Sequence, residues 1–176
     1  MQRMASSFCP DLKVGISPTH SLSPRIQCLE NIDIHQSNVL HCQLDRIQNE
    51  LLQRFDPLTA RHMLHLGIEP EMYLLRWVRL LMSREFPMYQ VWAIWDAIFS
   101  LSPVDFSFLD ILCLAALREF RDEILAQDDA SGVLQLLRDL GERIEADKLI
   151  DSARELHDDI LIASALEATS GSKDCA

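Results

Sequence analysis

Three charged side chains lie within otherwise apolar stretches, where a buried charge needs an oppositely charged partner. Arg76 and Arg79 are three residues apart within 72–82, and Asp96 lies within 88–99. A buried ion without an opposite charge strongly destabilises a fold. We therefore predict a core ion pair between Arg76 and Asp96 that fixes the crossing of two helices. Direct contact of the arginine with a partner protein is the alternative.

One cluster has the side chains of a metal site, namely Cys28, His35, His41 and Cys42. Structural zinc sites use ligand pairs two to four residues apart, and neighbouring residues on a helix point in different directions. The spacing here fits neither requirement, so we predict no metal. The sequence also lacks a phosphate-binding P-loop, a G-x-S-x-G elbow and an H-E-x-x-H motif, and we predict no cofactor.

The net charge of the chain limits the classes of partner that it can bind. The 176 residues contain 16 Lys and Arg against 27 Asp and Glu, a net charge of −11. Such a surface repels nucleic acid and anionic lipid, so we predict neither a nucleic-acid partner nor membrane insertion. Five irregularly spaced cysteines do not resemble a disulfide framework, which predicts a cytoplasmic protein. Cys113, between two leucines, is expected to be a buried thiol with a raised pKa.

The elements that must position these residues are predicted to be helices. Residues 1–38 are rich in Ser and Pro and predict a disordered leader. Apolar residues then recur with helical spacing. Asp56-Pro57 is a cap followed by a proline, and Gly67 is predicted to end the same helix in a left-handed conformation. Predicted helices span 38–55, 57–66, 71–83, 88–99, 104–125, 133–140 and 142–167, followed by a disordered tail, 169–176. No stretch alternates as a strand does, so the predicted fold is all-α, an orthogonal multi-helix array.

Three tryptophans occur in these apolar helices. Trp77, Trp92 and Trp95 are flanked by Leu and Ile at helical spacing, which predicts that they belong to the core with Arg76 and Asp96. An aromatic binding patch is the alternative interpretation.

The centre of the chain resembles a known family. The motifs are Leu74-Leu75-Arg76-Trp77-Val78-Arg79-Leu80-Leu81, then Arg84-Glu85-Phe86-Pro87, then Val91-Trp92-Ala93-Ile94-Trp95-Asp96. In this order and spacing they resemble the C-terminal half of the TBC domain of Rab GTPase-activating proteins. The residues of the Arg-Trp-Val-Arg-Leu-Leu and Arg-Glu-Phe-Pro segments are most similar to those of the endosomal, retromer-associated subgroup. The resemblance predicts a TBC half-domain over 39–126, followed by an acidic helical extension over 127–168.

The resemblance also implies a chemistry that this sequence lacks. TBC proteins accelerate GTP hydrolysis with an Arg in I-x-x-D-x-x-R and a Gln in Y-x-Q. Neither motif occurs here: Ile144 and Asp147 are correctly spaced but are followed by Ile150, and Tyr89 directly precedes Gln90. We therefore expect no catalytic residue and no enzyme activity. The chain is expected to be a TBC domain without its catalytic half, through truncation, alternative splicing or a partial gene model.

The predicted function is that of a Rab GTPase regulator that binds without catalysing, peripheral on endosomes through its partners. Arg79, Arg84 and Glu85 are the predicted partner-binding residues, and the partner is a Rab-type small GTPase or the missing N-terminal lobe. An apolar face on the first helix, formed by Leu40, Leu44, Ile47 and Leu51, is expected to be turned toward that lobe. The alternative is an acidic helical adaptor for a trafficking scaffold or a coiled-coil partner.

Overall fold

The secondary structure of the described residues consists of helices. The computed structural model describes the backbone of residues 39–170 and the side chains of 39–163. Every regular element within these limits is helical, which confirms the all-α fold class. The predicted leader, 1–38, lies outside the described residues, and so do residues 171–176 of the predicted tail.

Nine helices occur in the described part, and most begin at a proline, a cap or a tight turn. In chain order they are α1 (39–55), α2 (Pro57–His65), α3 (Leu74–Arg79), α4 (Met88–Leu101), α5 (Ser107–Glu119), α6 (Arg121–Leu125), α7 (Ala130–Arg138), α8 (Leu140–Arg143) and α9 (Ala146–Ser170). The middle of α1, Arg46–Leu52, is wound as a π-helix. None of these helices combines the length and apolar character needed to cross a bilayer.

The start and end of α2 follow the predicted signals. The Asp56 carboxylate accepts hydrogen bonds from the backbone N–H of Thr59 at 3.3 Å and from its hydroxyl at 2.6 Å. Pro57 occupies the first helical position, where a missing N–H costs nothing. After the helix, Gly67 has a φ of 69°, the left-handed conformation that glycine adopts most easily.

Two predicted helices are broken in the structure. The predicted helix over 71–83 becomes a 3₁₀ turn, Pro70–Met72, followed by the short α3. Leu81 and Met82 then take left-handed backbone conformations, with φ of 47° and 61°. The predicted helix over 104–125 begins only at α5, because Phe106 is also left-handed, and it breaks at Phe120 between α5 and α6.

The fold is built around α5, which is apolar on all sides. Residues 108–117 of this helix are all buried, and α1, α3, α4 and α9 pack around it. Its buried Asp110 is compensated by Gln43 of α1, whose amide donates at 2.7 Å, and by an ion pair with Arg46. Burial nevertheless raises the pKa of Asp110, since it outweighs the stabilisation from these two partners.

Residues beyond 126 pack into the same core. The long helix α9 lies against α5 and α4, and the backbone N–H of Ala146 donates to the side chain of Gln90 on α4 at 3.2 Å. The predicted acidic extension, 127–168, therefore supplies buried side chains to the same compact unit as the half-domain before it. Those buried apolar residues are Val133, Leu136, Leu137, Leu140, Ala146, Leu149, Ile150, Ala153 and Leu156.

The apolar face of the first helix is not open, contrary to the prediction. Leu44 and Ile47 are fully buried, and Leu40 and Leu51 pack against the core as partly buried side chains. This burial arises because α1 packs against α2 and α5. A face that the sequence assigns to a missing lobe is thus part of the core of this chain.

Candidate functional site

Arg76 pairs with Glu85, and the predicted pair with Asp96 is wrong. The Arg76 Nη2 donates to Glu85 Oε2 at 2.7 Å, and its Nε lies 2.6 Å from Oε1. The carboxylate is 1% exposed, whereas the Arg76 side chain is 41% exposed and lines a surface groove. Such a two-point contact fixes the turn after α3 to the helix itself.

Asp96 is exposed because it shares a face of α4 with other exposed residues. Trp92 is 56% exposed and Phe99 46%, while Val91, Ile94 and Ile98 form the buried face. Asp96 lies four residues after Trp92 and three before Phe99, and it lines a groove between α4 and α9. A helix that is apolar all round leaves its buried face ambiguous in sequence. The core predictions for Asp96 and Trp92 are therefore wrong.

The other two tryptophans hold the centre of the site. Trp77 is fully buried, with its ring edge-on to Tyr73 at 5.4 Å between centroids. Trp95 is half-buried, and its Nε1–H donates to the carbonyl of Leu81 at 3.0 Å. This bond ties α4 to the turn in which Leu81 and Met82 are left-handed, a conformation that ordinary residues keep only when their surroundings enforce it.

The turn over 80–87 is also held by α8. A Cβ added to Gly141 would lie 1.7 Å from the carbonyl oxygen of Glu85 and 2.7 Å from its carbonyl carbon. Only glycine permits this approach of two backbones. Glu85 itself is buried, so the prediction that it contacts a partner is wrong; its carboxylate is occupied by Arg76.

Glu85 titrates abnormally because of this position. Burial raises its pKa above the ordinary glutamate value, although hydrogen bonding to Arg76 and the nearby charge of that arginine act in the opposite direction. The carboxylate is thus the charge that would be stranded if the arginine were removed.

Arg84 and Arg79 are the two predicted partner-binding residues that remain exposed. Arg84 lies in the anchored turn and makes no ion pair within residues 39–163. Arg79 ends α3 and, among the described side chains, also has no hydrogen-bonded or ion-paired partner. Of these two cations without an ion pair, Arg84 thus lies within the strained turn and Arg79 directly precedes it.

A groove of about 780 Å³ lies beside Arg79, between α3 and α7. Its wall from α3 contains Leu75 and Arg76, and its wall from α7 contains Leu134 and Arg138. This is within the usual size range of ligand-binding clefts.

The remaining residues with reactive or metal-binding side chains are the cysteines, the histidines and Gln90. Cys113 is fully buried and its pKa is raised by burial, as predicted. His41 Nδ1 lies 2.9 Å from Glu71, and Cys42 is an exposed free thiol. Cys28 and His35 of the predicted metal cluster lie outside the described residues, and the side chains that are described contain no group of three metal ligands. Gln90, beside Tyr89, accepts a hydrogen bond from the backbone N–H of Ala146, the first residue of α9.

Sequence reasoning missed three features of this site. Glu85 was taken for a surface residue because it lies in a polar turn, nine residues from its partner. The contact of Gly141 with Glu85 is nonlocal, so no sequence pattern indicates it. The α7 wall carried a usable signal, since Leu134 and Arg138 are four residues apart on one face of an amphipathic helix.

Comparison with known proteins identifies similar chains. A family model described as the Rab-GTPase-TBC domain matches residues 19–125, so the match begins 20 residues before the predicted half-domain boundary at 39. Mouse "TBC1 domain family member 5" is 34% identical over 96 residues, which is 54% of this chain and 12% of that protein. The Dictyostelium discoideum "TBC1 domain family member 5 homolog B" is 39% identical over 90 residues, 51% of this chain and 9% of that protein.

A further relative has the same domain name. Human "TBC1 domain family member 22B" is 33% identical over 92 residues, 52% of this chain and 18% of its own length. The chain thus spans less than a fifth of the length of each of these relatives. Because the family match covers well over half of its 176 residues, the chain belongs to the Rab-GTPase-TBC domain family.

Proposed function

We propose that this chain binds a Rab-type small GTPase through the anchored turn over 80–87 without accelerating GTP hydrolysis. The observation that carries the proposal is Arg84, an exposed and unpaired cation on a turn fixed to three different helices. A contact on such a turn needs little ordering when a partner binds, and this favours affinity. Arg79, on the neighbouring end of α3, is proposed as a second partner contact.

The absence of catalysis is proposed from the sequence. The 176 residues contain no I-x-x-D-x-x-R and no Y-x-Q. The finger arginine of a GTPase activator contributes about 10³ to 10⁵ in rate, so a chain without it is expected to be inactive. Gln90, the side chain nearest to the glutamine motif, accepts a hydrogen bond from the start of α9 and is thereby engaged in the fold.

The exposed face of α4 suggests the second partner, a further TBC lobe. Met88, Trp92 and Phe99 are each about half exposed, and Phe99 stacks edge-on with Phe106 at 5.9 Å. Large apolar side chains exposed together on one helix face, here beside Asp96, are typical of a surface that another protein covers. We propose that this face, and not that of α1, receives the lobe that would carry the catalytic residues.

The adaptor alternative has weaker support. Its acidic region would have to present an apolar helix face to a coiled-coil partner, but Leu149, Ala153 and Leu156 of α9 are buried in the core. Similarity to the member 5 proteins and the residues of the sequence motifs instead favour a regulator of endosomal trafficking, held peripherally on membranes by its partners.

A charge reversal at Arg84 tests the binding proposal. We expect Arg84→Glu to weaken binding of a GTP-loaded endosomal Rab at least tenfold, because it replaces an attractive contact by a repulsive one. The measurement is biolayer interferometry with the GTPase in both nucleotide states. Arg118→Glu, at an exposed arginine of α5, is the matched control and is expected to leave affinity unchanged within about twofold.

Two results would contradict the proposal. Equal losses in the Arg84 and Arg118 variants would reveal a general charge effect, not a contact. Binding that persists in Arg84→Glu with unchanged affinity would locate the GTPase elsewhere on the chain.

A further inference from the structure

The groove between α3 and α7 combines an apolar floor with a basic rim. Leu75 and Leu134 face it from opposite walls, both half-buried, and Met72 and Leu80 expose 52% and 40% of their surfaces beside it. The two walls are helices, so the groove has the shape that accepts a third helix packed against both. No strand edge is present among residues 39–170 to bind an extended peptide instead.

The charge of the groove is opposite to that of the protein. Its lining contains Arg76, Arg79 and Arg138 and a single acid, Glu71, in a chain of net charge −11. Glu71 lies 2.9 Å from a ring nitrogen of His41. The groove is therefore a local basic surface on an acidic molecule.

Two of the three arginines are available to a ligand. Arg76 is engaged by Glu85, but Arg79 has no ion pair with any side chain of 39–163. Arg138 reaches only the adjacent Asp139, at 3.5 Å, and its side chain is 63% exposed. A ligand with two carboxylates would give Arg79 the partner it lacks and Arg138 a second partner besides Asp139.

We propose that this groove binds an acidic amphipathic helix of a partner protein. The apolar residues of that helix, at spacings of three and four, would cover Leu75, Leu80 and Leu134. Its flanking carboxylates would pair with Arg79 and Arg138, and charge complementarity would fix its register. The inference does not rest on the proposed GTPase contact of Arg84, which lies outside the groove lining. Arg79 belongs to both proposals, and Arg138 belongs to the groove alone.

A designed probe peptide tests this proposal on the full chain. The probe is a fluorescein-labelled 16-residue helix-forming peptide with Leu at positions i, i+4 and i+7 and Glu on both flanks. We expect fluorescence anisotropy to show saturable binding below about 0.1 mM, weakening as salt is raised. Arg79→Glu and Arg138→Glu should each weaken binding at least tenfold, whereas Arg84→Glu and Arg118→Glu should change it less than twofold.

The probe itself has two matched controls. Replacing its Glu residues by Lys should abolish binding, and replacing its Leu residues by Ser should weaken it at least tenfold. Equal binding of the Glu and Lys probes, no binding of the Glu probe up to about 0.2 mM, or insensitivity to both arginine variants would overturn the proposal. Displacement by millimolar inorganic phosphate, with no effect of the Leu to Ser change, would also overturn it and identify a simple anion site.

The same variants separate this proposal from the proposed function. Loss of Rab binding in Arg84→Glu with intact probe binding would leave both standing. Loss of probe binding in the Arg84 variant would instead show that the two surfaces are one, and the separate groove would be refuted.

Discussion

Gly141→Ala is expected to destabilise the protein by about 3 kcal/mol, because the new methyl group would overlap a backbone carbonyl. Its Cβ would lie 1.7 Å from the Glu85 oxygen, and a backbone atom cannot rotate away as a side chain can. Either α8 or the turn over 80–87 must move, and the turn carries the Arg76 pair. Chemical denaturation followed by circular dichroism measures the change in unfolding free energy.

Two other glycines give matched controls for this variant. A Cβ on Gly132 would meet the side-chain end of Gln127, which can swing away, so Gly132→Ala should change stability by less than about 0.5 kcal/mol. Gly67 has open space but a φ of 69°, and Gly67→Ala should cost about 1 kcal/mol from backbone strain alone. A Gly141→Ala loss no larger than that at Gly67 would show that α8 does not press on the turn.

Arg76→Met is expected to cost about 2 kcal/mol at pH 7 and clearly less near pH 4.5, because it strands the buried Glu85 carboxylate. We place the loss below the upper values for buried pairs because the Arg76 side chain is 41% exposed to solvent. Glu85 already has a raised pKa in the folded protein. Removing the arginine should raise this pKa further, since burial is the largest cause and only the smaller opposing effects of Trp77 and Arg84 remain.

The sign of the pH dependence follows from proton binding. When a carboxyl has a higher pKa folded than unfolded, the native state holds more protons over the interval between the two pKa values. The free energy of unfolding therefore falls as pH rises through that interval, and it falls more steeply for Arg76→Met than for the wild type. Unfolding curves at pH 4.5 and 7 measure this difference.

Rescue and a negative control distinguish the true partner of Arg76. Adding Glu85→Gln to Arg76→Met should remove the extra pH dependence of the single variant, because the stranded carboxyl is then absent. The contribution of buried Asp110 is common to all these variants. Asp96→Asn should change stability by less than about 0.5 kcal/mol, since Asp96 is exposed. A large loss in the Asp96 variant, or a pH dependence in the double variant as strong as in Arg76→Met alone, would refute the assignment.

Local signals in the sequence predicted much of the fold. The Asp56 cap, the left-handed Gly67 and the all-α class depend on residues next to one another, and the structure contains all three. The break after α3 was not predictable in the same way, because Leu81 and Met82 carry no residue type that favours a left-handed backbone. That turn is held by distant groups, the Trp95 indole and the α8 backbone.

The candidate site was harder to predict than the fold for a related reason. The predicted pair of Arg76 with Asp96 required Asp96 to lie on the buried face of α4, and a helix with Trp, Ile and Phe on nearly every face does not show which face is buried. The tryptophan environments show the same ambiguity, since Trp77 is buried, Trp95 hydrogen-bonds the turn and Trp92 is largely exposed. Side-chain type alone therefore assigned the partner of Arg76 to the wrong carboxylate.

Single-turnover GTP hydrolysis by an endosomal Rab, measured with and without the full chain, tests the central claim most directly. The chain should be present at a concentration where interferometry shows the GTPase to be bound, so that lack of effect is not lack of contact. We predict a hydrolysis rate unchanged within about threefold, because no side chain of the two finger motifs is present to stabilise the transition state. A tenfold or greater acceleration that disappears in Arg84→Glu would contradict the account and make that arginine a catalytic residue.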